Sequence, residues 1–184
     1  MIDSIIQTIQ TLVTTYGAFG IFLGALIEEV ISVIPSAAVI MFSGFFVMGG
    51  LPIDTTSVYK LLISVSLPVA LGLTLGSLLI YSLAYYFGAP FINRFGKYFG
   101  VSWSEIENLQ SKLKNNRSDE IILFLARATP VIPFTLINAF CGLVRWSPVP
   151  YVLITFTGAF IRGTIVGFVG WQLGSLYHEN AKIL

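Results

Sequence analysis

Three charged residues sit where charge is hard to keep. Glu28 and Glu29 lie between the apolar stretches 19–27 and 30–46, and Arg127 lies between the apolar run 121–126 and Pro130. An ionised group near the middle of an apolar span carries a penalty of roughly 2.5–3.5 kcal/mol on insertion scales. Such residues pair with one another or face water, and they mark pathways. Their chemistries differ. A glutamate held away from water can take up and release a proton, so Glu28 or Glu29 could couple the movement of a solute to protons. Arg127 keeps its charge and offers a planar fork that matches phosphate. Pro35-Ser36 and the pair Pro130 and Pro133 break the apolar runs beside these charges. Half-helices beginning just after Pro35 and Pro133 would add backbone N–H donors for an anion. An anionic head group held between the two breaks uses all these features; the plainer reading is a structural salt bridge near the interface. The candidate transport set is therefore Glu28, Glu29, Pro35, Ser36, Arg127, Pro130 and Pro133, with Arg162 as a secondary charge. Arg145 and Arg162 are expected to snorkel to an interface.

Other chemistries lack their parts. The chain has one histidine, His178, near the C-terminus, and one cysteine, Cys141, in an apolar run. Mechanisms needing two histidines in one chain, an internal disulfide framework or an intramembrane pair of aspartates are excluded. Cys141 is expected simply to pack. No enzyme activity, metal or cofactor is expected, apart from proton coupling. Net charge is +1, which gives no basis for nucleic-acid binding.

The elements that must position these residues belong to a membrane. Of 184 residues, 55% are hydrophobic and only 10% charged, with a mean hydropathy of +0.85. A soluble domain averages about 25% charged residues, and a soluble chain this short could not bury so much apolar surface. Residues 30–53 and 61–93 are runs of 24 and 33 without a charge, and spanning needs roughly 20. The second run is a full span with length to spare, tilted or kinked at Pro68. Gly72 and Gly76 give it a close-packing face, and Gly163 and Gly167 repeat that spacing in the last apolar stretch, 149–177. The first run, with residues 16–27, is too long for one helix and awkward for two. A segment that enters part-way, breaks near Pro35 and turns back fits better.

The N-terminal residues 1–15 read as an amphipathic helix near the interface rather than a cleavable signal peptide, with Asp3 as their only charge. Residues 89–120 are a polar connection. Ser102 and Glu105 form a capping box for a surface helix carrying Trp103 and Ile106. The connection holds five of the ten lysines and arginines, which places it in the cytoplasm by the positive-inside rule. Trp146 and Trp171 suit interfacial positions.

Two segments match each other. Ile34-Pro35 is followed by Gly44 and Ile132-Pro133 by Gly142, nine residues after each proline. Six residues before each proline stands a charge, Glu29 or Arg127. The fold class is all-α integral membrane: an inverted repeat of two re-entrant helical segments, each followed by transmembrane helices. All of 1–184 forms a single membrane domain, with half-repeats at 17–88 and 121–177. Irregular backbone at membrane depth is tolerated only when buried in protein or lining a wet cavity, so the two tips are expected to meet at one.

The residues carry a family resemblance. Glu28-Glu29-Val30-Ile31-Ser32-Val33-Ile34-Pro35-Ser36 resembles the first motif of the DedA family of membrane proteins. Gly72, Gly76, Tyr81 and Gly88 resemble its glycine-rich helix. Phe124-Leu125-Ala126-Arg127-Ala128-Thr129-Pro130-Val131-Ile132-Pro133-Phe134 with Gly142 is similar to its second motif and to the wider VTT (SNARE-associated) domain group. The resemblance implies a multi-pass cell-membrane protein moving a phospholipid or an undecaprenyl-type polyprenyl phosphate between leaflets, as a flippase or scramblase. Its partner would be a membrane lipid with an anionic phosphate head group; a homo-oligomer stays open. Glu28 takes the family's acidic position and Arg127 its first arginine. Many members carry a second acid where this chain has Ala37, and a second arginine where it has Pro133. Those departures favour a passive scramblase, or a different head group, over proton-driven movement. The alternative within the same architecture is a proton-coupled antiporter of a small ion or solute.

Overall fold

The computed structural model describes residues 2–30, 36–99, 103–112, 117–128 and 134–181. Pro35, Pro130, Pro133 and Ser102 lie outside these residues, as does the side chain of Ser36. Among the described residues the regular structure is all helical, without strands. The order is α1 (Ile2–Val30), α2 (Ser36–Met48), α3 (Thr55–Leu61), a π-helical turn (Leu62–Ser66), α4 (Leu67–Phe99), α5 (Trp103–Lys112), α6 (Arg117–Ala128), α7 (Phe134–Leu143) and α8 (Pro148–Ala181).

Among the described residues, three helical stretches are long and apolar enough to cross a membrane: Gln10–Val30, Thr55–Arg94 and Pro148–Tyr177. The first overlaps the amphipathic N-terminal segment instead of starting after it. One helix, α1, carries both, and it bends at Gly17, whose φ of 54° and ψ of −131° no ordinary side chain adopts easily. The kink expected at Pro68 takes the form of the π-helical turn just before it. Proline has no N–H to give and its ring crowds the carbonyl four residues back. A π turn inserts one extra residue and absorbs that mismatch. The Ser66 hydroxyl donates to the Leu61 carbonyl (3.4 Å) and accepts from Thr164 of α8 (3.0 Å), closing the turn onto its neighbour.

α2 doubles back on α1. On one continuous helix residues 24 and 39 would stand about 22 Å apart, yet a β-carbon added at Gly24 would lie 3.2 Å from Val39. The pairing of the other helices is reciprocal. α1 packs on α4 and α6 packs on α8, while α2 packs on α8 and α7 packs on α4. Glycines mark these seams. Gly72 abuts the backbone of Phe22 and Leu26 in α1. Gly44 of α2 would drive a β-carbon to 2.0 Å from the Gly167 carbonyl of α8, and Gly142 of α7 one to 2.4 Å from the Tyr81 carbonyl of α4. The two glycines at matching distances after the broken prolines thus do the same work against different long helices.

Both tryptophans named above are buried in protein rather than facing lipid head groups. Trp171 is fully enclosed and donates to the Leu51 carbonyl (3.1 Å), fastening the turn after α2 to α8. Trp146 packs with Tyr81 and Tyr151, and its carbonyl accepts from the Tyr81 hydroxyl. α7 ends in a 6→1 and 5→2 pair of bonds, from Trp146 N–H to Cys141 and from Arg145 N–H to Gly142. Such an ending places its next residue in the left-handed region. That residue is Arg145, with φ 52°. Cys141 packs in the core as expected.

Candidate functional site

Neighbouring residues on a helix point about 100° apart, so Glu28 and Glu29 face different neighbours. Glu29 faces α4. Gly76 makes room for it, because a β-carbon there would come within 2.7 Å of the Glu29 side chain. The next residue of α4, Ser77, donates its hydroxyl to Glu29 Oε1 at 3.0 Å. Asn138 of α7 donates its amide N–H to the same oxygen. Arg127 of α6 reaches both linkers from the other side. Its Nη1 donates to Ser77 Oγ (3.3 Å) and its Nη2 to Asn138 Oδ1 and to the Tyr151 hydroxyl (3.1 Å). Tyr151 of α8 places its single hydroxyl proton between Asn138 Oδ1 (2.8 Å) and the Ser77 carbonyl (3.2 Å). Its ring lies beneath the Arg127 guanidinium at 5.3 Å and stacks on Tyr81 at 4.4 Å.

The acid and the base are therefore joined through two neutral groups, each a donor to Glu29 and an acceptor from Arg127. That order fixes the orientation of the Asn138 amide. Five helices contribute one residue each: α1, α4, α6, α7 and α8. Ser77, Arg127 and Asn138 are fully buried and Glu29 is 4% exposed, so the charges are closed on each other rather than open to water. Glu29 of α1 and Arg127 of α6 thus meet through shared linkers, and Glu28 takes no part in them.

Glu28 points elsewhere. It is 2% exposed, and neither carboxylate oxygen has a hydrogen-bond partner. Arg162 of α8 acts electrostatically on it and on Glu29. Arg162 is itself 2% exposed, so it does not snorkel. The acid pair deep in the protein offers its charge more than a distant interface can. Arg145 is the exposed one, lying 5.6 Å from the Tyr85 ring. Among the described residues, two acids and two arginines are buried in this region.

Sequence reasoning missed Ser77, Asn138 and Tyr151. Asn138 was legible, being the one carboxamide in the apolar run 134–144, and a polar side chain there needs a partner across a helix interface. Ser77 and Tyr151 give no such signal. On the outer side of α6 a mostly apolar cleft of about 400 Å³ runs against α8, lined by Glu120, Ile121, Phe124, Leu153, Ile154 and Thr157. Phe124 stands one turn before Arg127 on the same face of α6.

Apolar helices of spanning length around a buried, charge-balanced polar centre define a multi-pass membrane protein. The VTT domain profile matches residues 32–172, and the chain belongs to that family, the DedA group. Undecaprenyl phosphate transporter A of Bacillus subtilis (strain 168) is 27% identical over 180 residues, 98% of this chain and 83% of that protein. Uncharacterized membrane protein YkoX of the same organism is 30% identical over 166 residues, 90% of this chain and 68% of that protein. No solved structure matches at a significant level.

Proposed function

We propose that this protein moves an anionic lipid, a phospholipid or a polyprenyl phosphate, between the leaflets of the membrane. The observation that carries the reading is the Glu29–Arg127 arrangement. A directly locked ion pair would be costly to open, whereas two neutral linkers can release Arg127 while still holding Glu29. A phosphate entering beside Phe124 would take the guanidinium fork from Ser77 and Asn138, and bidentate charge-assisted bonds repay that exchange. The name of the 27%-identical relative supports a lipid-phosphate cargo. The reciprocal packing of α2 and α7 on the two long helices supports an inverted repeat with two re-entrant segments. In this reading 17–88 and 121–177 are the half-repeats, and the connection 89–120 lies in the cytoplasm.

Movement in this reading is passive or proton-linked according to Glu28 and Glu29, and Ala37 and Pro133 favour the passive form. Purified protein in vesicles carrying a head-group-labelled lipid tests the reading. Arg127→Ala and Glu29→Gln should remain folded and lose lipid movement. Full lipid movement in both would sink it. Movement of a soluble ion without lipid movement would replace it with the antiporter.

A further inference from the structure

On α1 and α8 the Glu28 carboxylate, Arg162 and the hydroxyl of Thr155 are buried outside the Glu29–Arg127 centre. Thr155 is 1% exposed and its Oγ1 has no hydrogen-bond partner. A buried hydroxyl without a partner loses its hydration and gains nothing back, so a valine would serve the fold better at that place. Such a group calls for a ligand that is absent from the resting arrangement.

Thr155 is not isolated. Tyr151, Thr155, Gly158 and Arg162 are spaced i, i+4, i+7 and i+11 on α8, which puts them on one face over three turns, and all four are buried. From Tyr151 to Arg162 this row covers about 16 Å of the helix axis. α4 and the π-helical turn before it run along the same seam. The Tyr151 hydroxyl meets the Ser77 carbonyl at one end, and the Thr164 hydroxyl donates to Ser66 Oγ at the other. The row begins at Arg127, which shares the Tyr151 hydroxyl, and ends at Arg162.

We infer that the seam between α4 and α8 is the head-group path, and that Arg162 is a second anion-binding station, reached from Arg127 past the hydroxyl of Thr155. This rests on the lipid-transport reading and extends it by a site and a route. The ligand is a phosphate group on a lipid, either the monoester of a polyprenyl phosphate or the diester of a phospholipid. Arg162 acts on both acids, but Glu29 is held by Ser77 and Asn138, while Glu28 is held by no hydrogen bond. Glu28 therefore yields Arg162 to a phosphate without leaving donors stranded. Passage from one arginine to the other keeps the phosphate beside a cation at both ends of the buried stretch.

The test uses the full chain in phosphatidylethanolamine–phosphatidylglycerol vesicles, one set with labelled phosphatidylglycerol and one with a labelled polyprenyl phosphate. Thr155→Val removes only the unpartnered hydroxyl. It should leave the melting temperature unchanged and slow head-group movement about fivefold, the worth of one hydrogen bond. Arg162→Gln is made in a Glu28→Gln background, which keeps the buried charges balanced. It should move lipid at least tenfold more slowly than Glu28→Gln alone at equal stability. The label that shows the loss names the ester. Parental rates in Thr155→Val, together with Glu28→Gln rates in the double variant, overturn the path. If Arg127→Ala and Glu29→Gln are inactive in the same vesicles, only the path falls; if both move lipid fully, the transport reading itself falls.

Discussion

Removing Asn138 should injure this protein more than removing the charge it holds. Its side chain makes three bonds: to Glu29, to Arg127 and to the Tyr151 hydroxyl. Two of them involve charged partners. Bonds of that kind contribute about 1.5–3 kcal/mol each and a neutral one about 1, so Asn138→Leu loses at least about 4 kcal/mol. If the three behaved as average hydrogen bonds between membrane helices, at about 0.6 kcal/mol each, the loss would be about 2. The larger figure is expected because the groups left behind are ions with no water in reach. For a chain of this size about 4 kcal/mol lowers the melting temperature by about 8–16 °C. Glu29→Gln keeps an oxygen that accepts from both Ser77 and Asn138, and should lower stability by less than Asn138→Leu does. With Glu29 already neutral, Asn138→Leu strands one ion instead of two, so the double variant should be more stable than the two single effects added, by about 1–3 kcal/mol. Thermal unfolding of the purified protein in detergent measures all three. A fall below about 4 °C for Asn138→Leu, or strict additivity in the double variant, would refute the linker argument.

Gly44→Ala should prevent stable folding, because its β-carbon would sit 2.0 Å from the Gly167 carbonyl, and backbone cannot yield as a side-chain tip can; expression and monodispersity on gel filtration check this. Gly17→Ala meets nothing within 4 Å and is penalised only through φ, so it should destabilise by about 1–2 kcal/mol and still fold, as thermal unfolding would show. Arg145→Gly relieves a left-handed residue at the end of α7 and loses a surface cation–π contact, so it should stabilise by up to about 1 kcal/mol; an unchanged or lower melting temperature would count against the strain. At the start of α3 the Asp54 carboxylate accepts from the Ser57 N–H at 2.7 Å, which holds its pKa below the ordinary 3.8. Its capping contribution is complete above pH 3.8 and fades as pH falls through the lowered folded value. Exchange protection of the Ser57 amide should therefore persist at pH 4 and weaken only in stronger acid.

The sequence by itself determined the class of solvent, the long helices and the places where charge and proline interrupt them. Those are local matters. A run of 33 uncharged residues has one natural environment, and a charge among apolar neighbours stands out whatever its partner. The glycine spacings announced close packing, and Gly72, Gly76, Gly163 and Gly167 do lie against neighbouring helices. Which groups meet was decided by tertiary structure. Glu28 and Glu29 are equal in sequence, and one residue of rotation sends Glu29 past Gly76 to Ser77 while Glu28 turns toward Arg162. Asn138 reaches Glu29 across 109 positions of chain, a meeting that depends on α7 crossing α4 at Gly142. Arg162 shows the same dependence. By its surroundings in sequence it should snorkel outward, but burial beside two acids holds it inside, because a charge follows the nearest compensation and only packing decides where that lies.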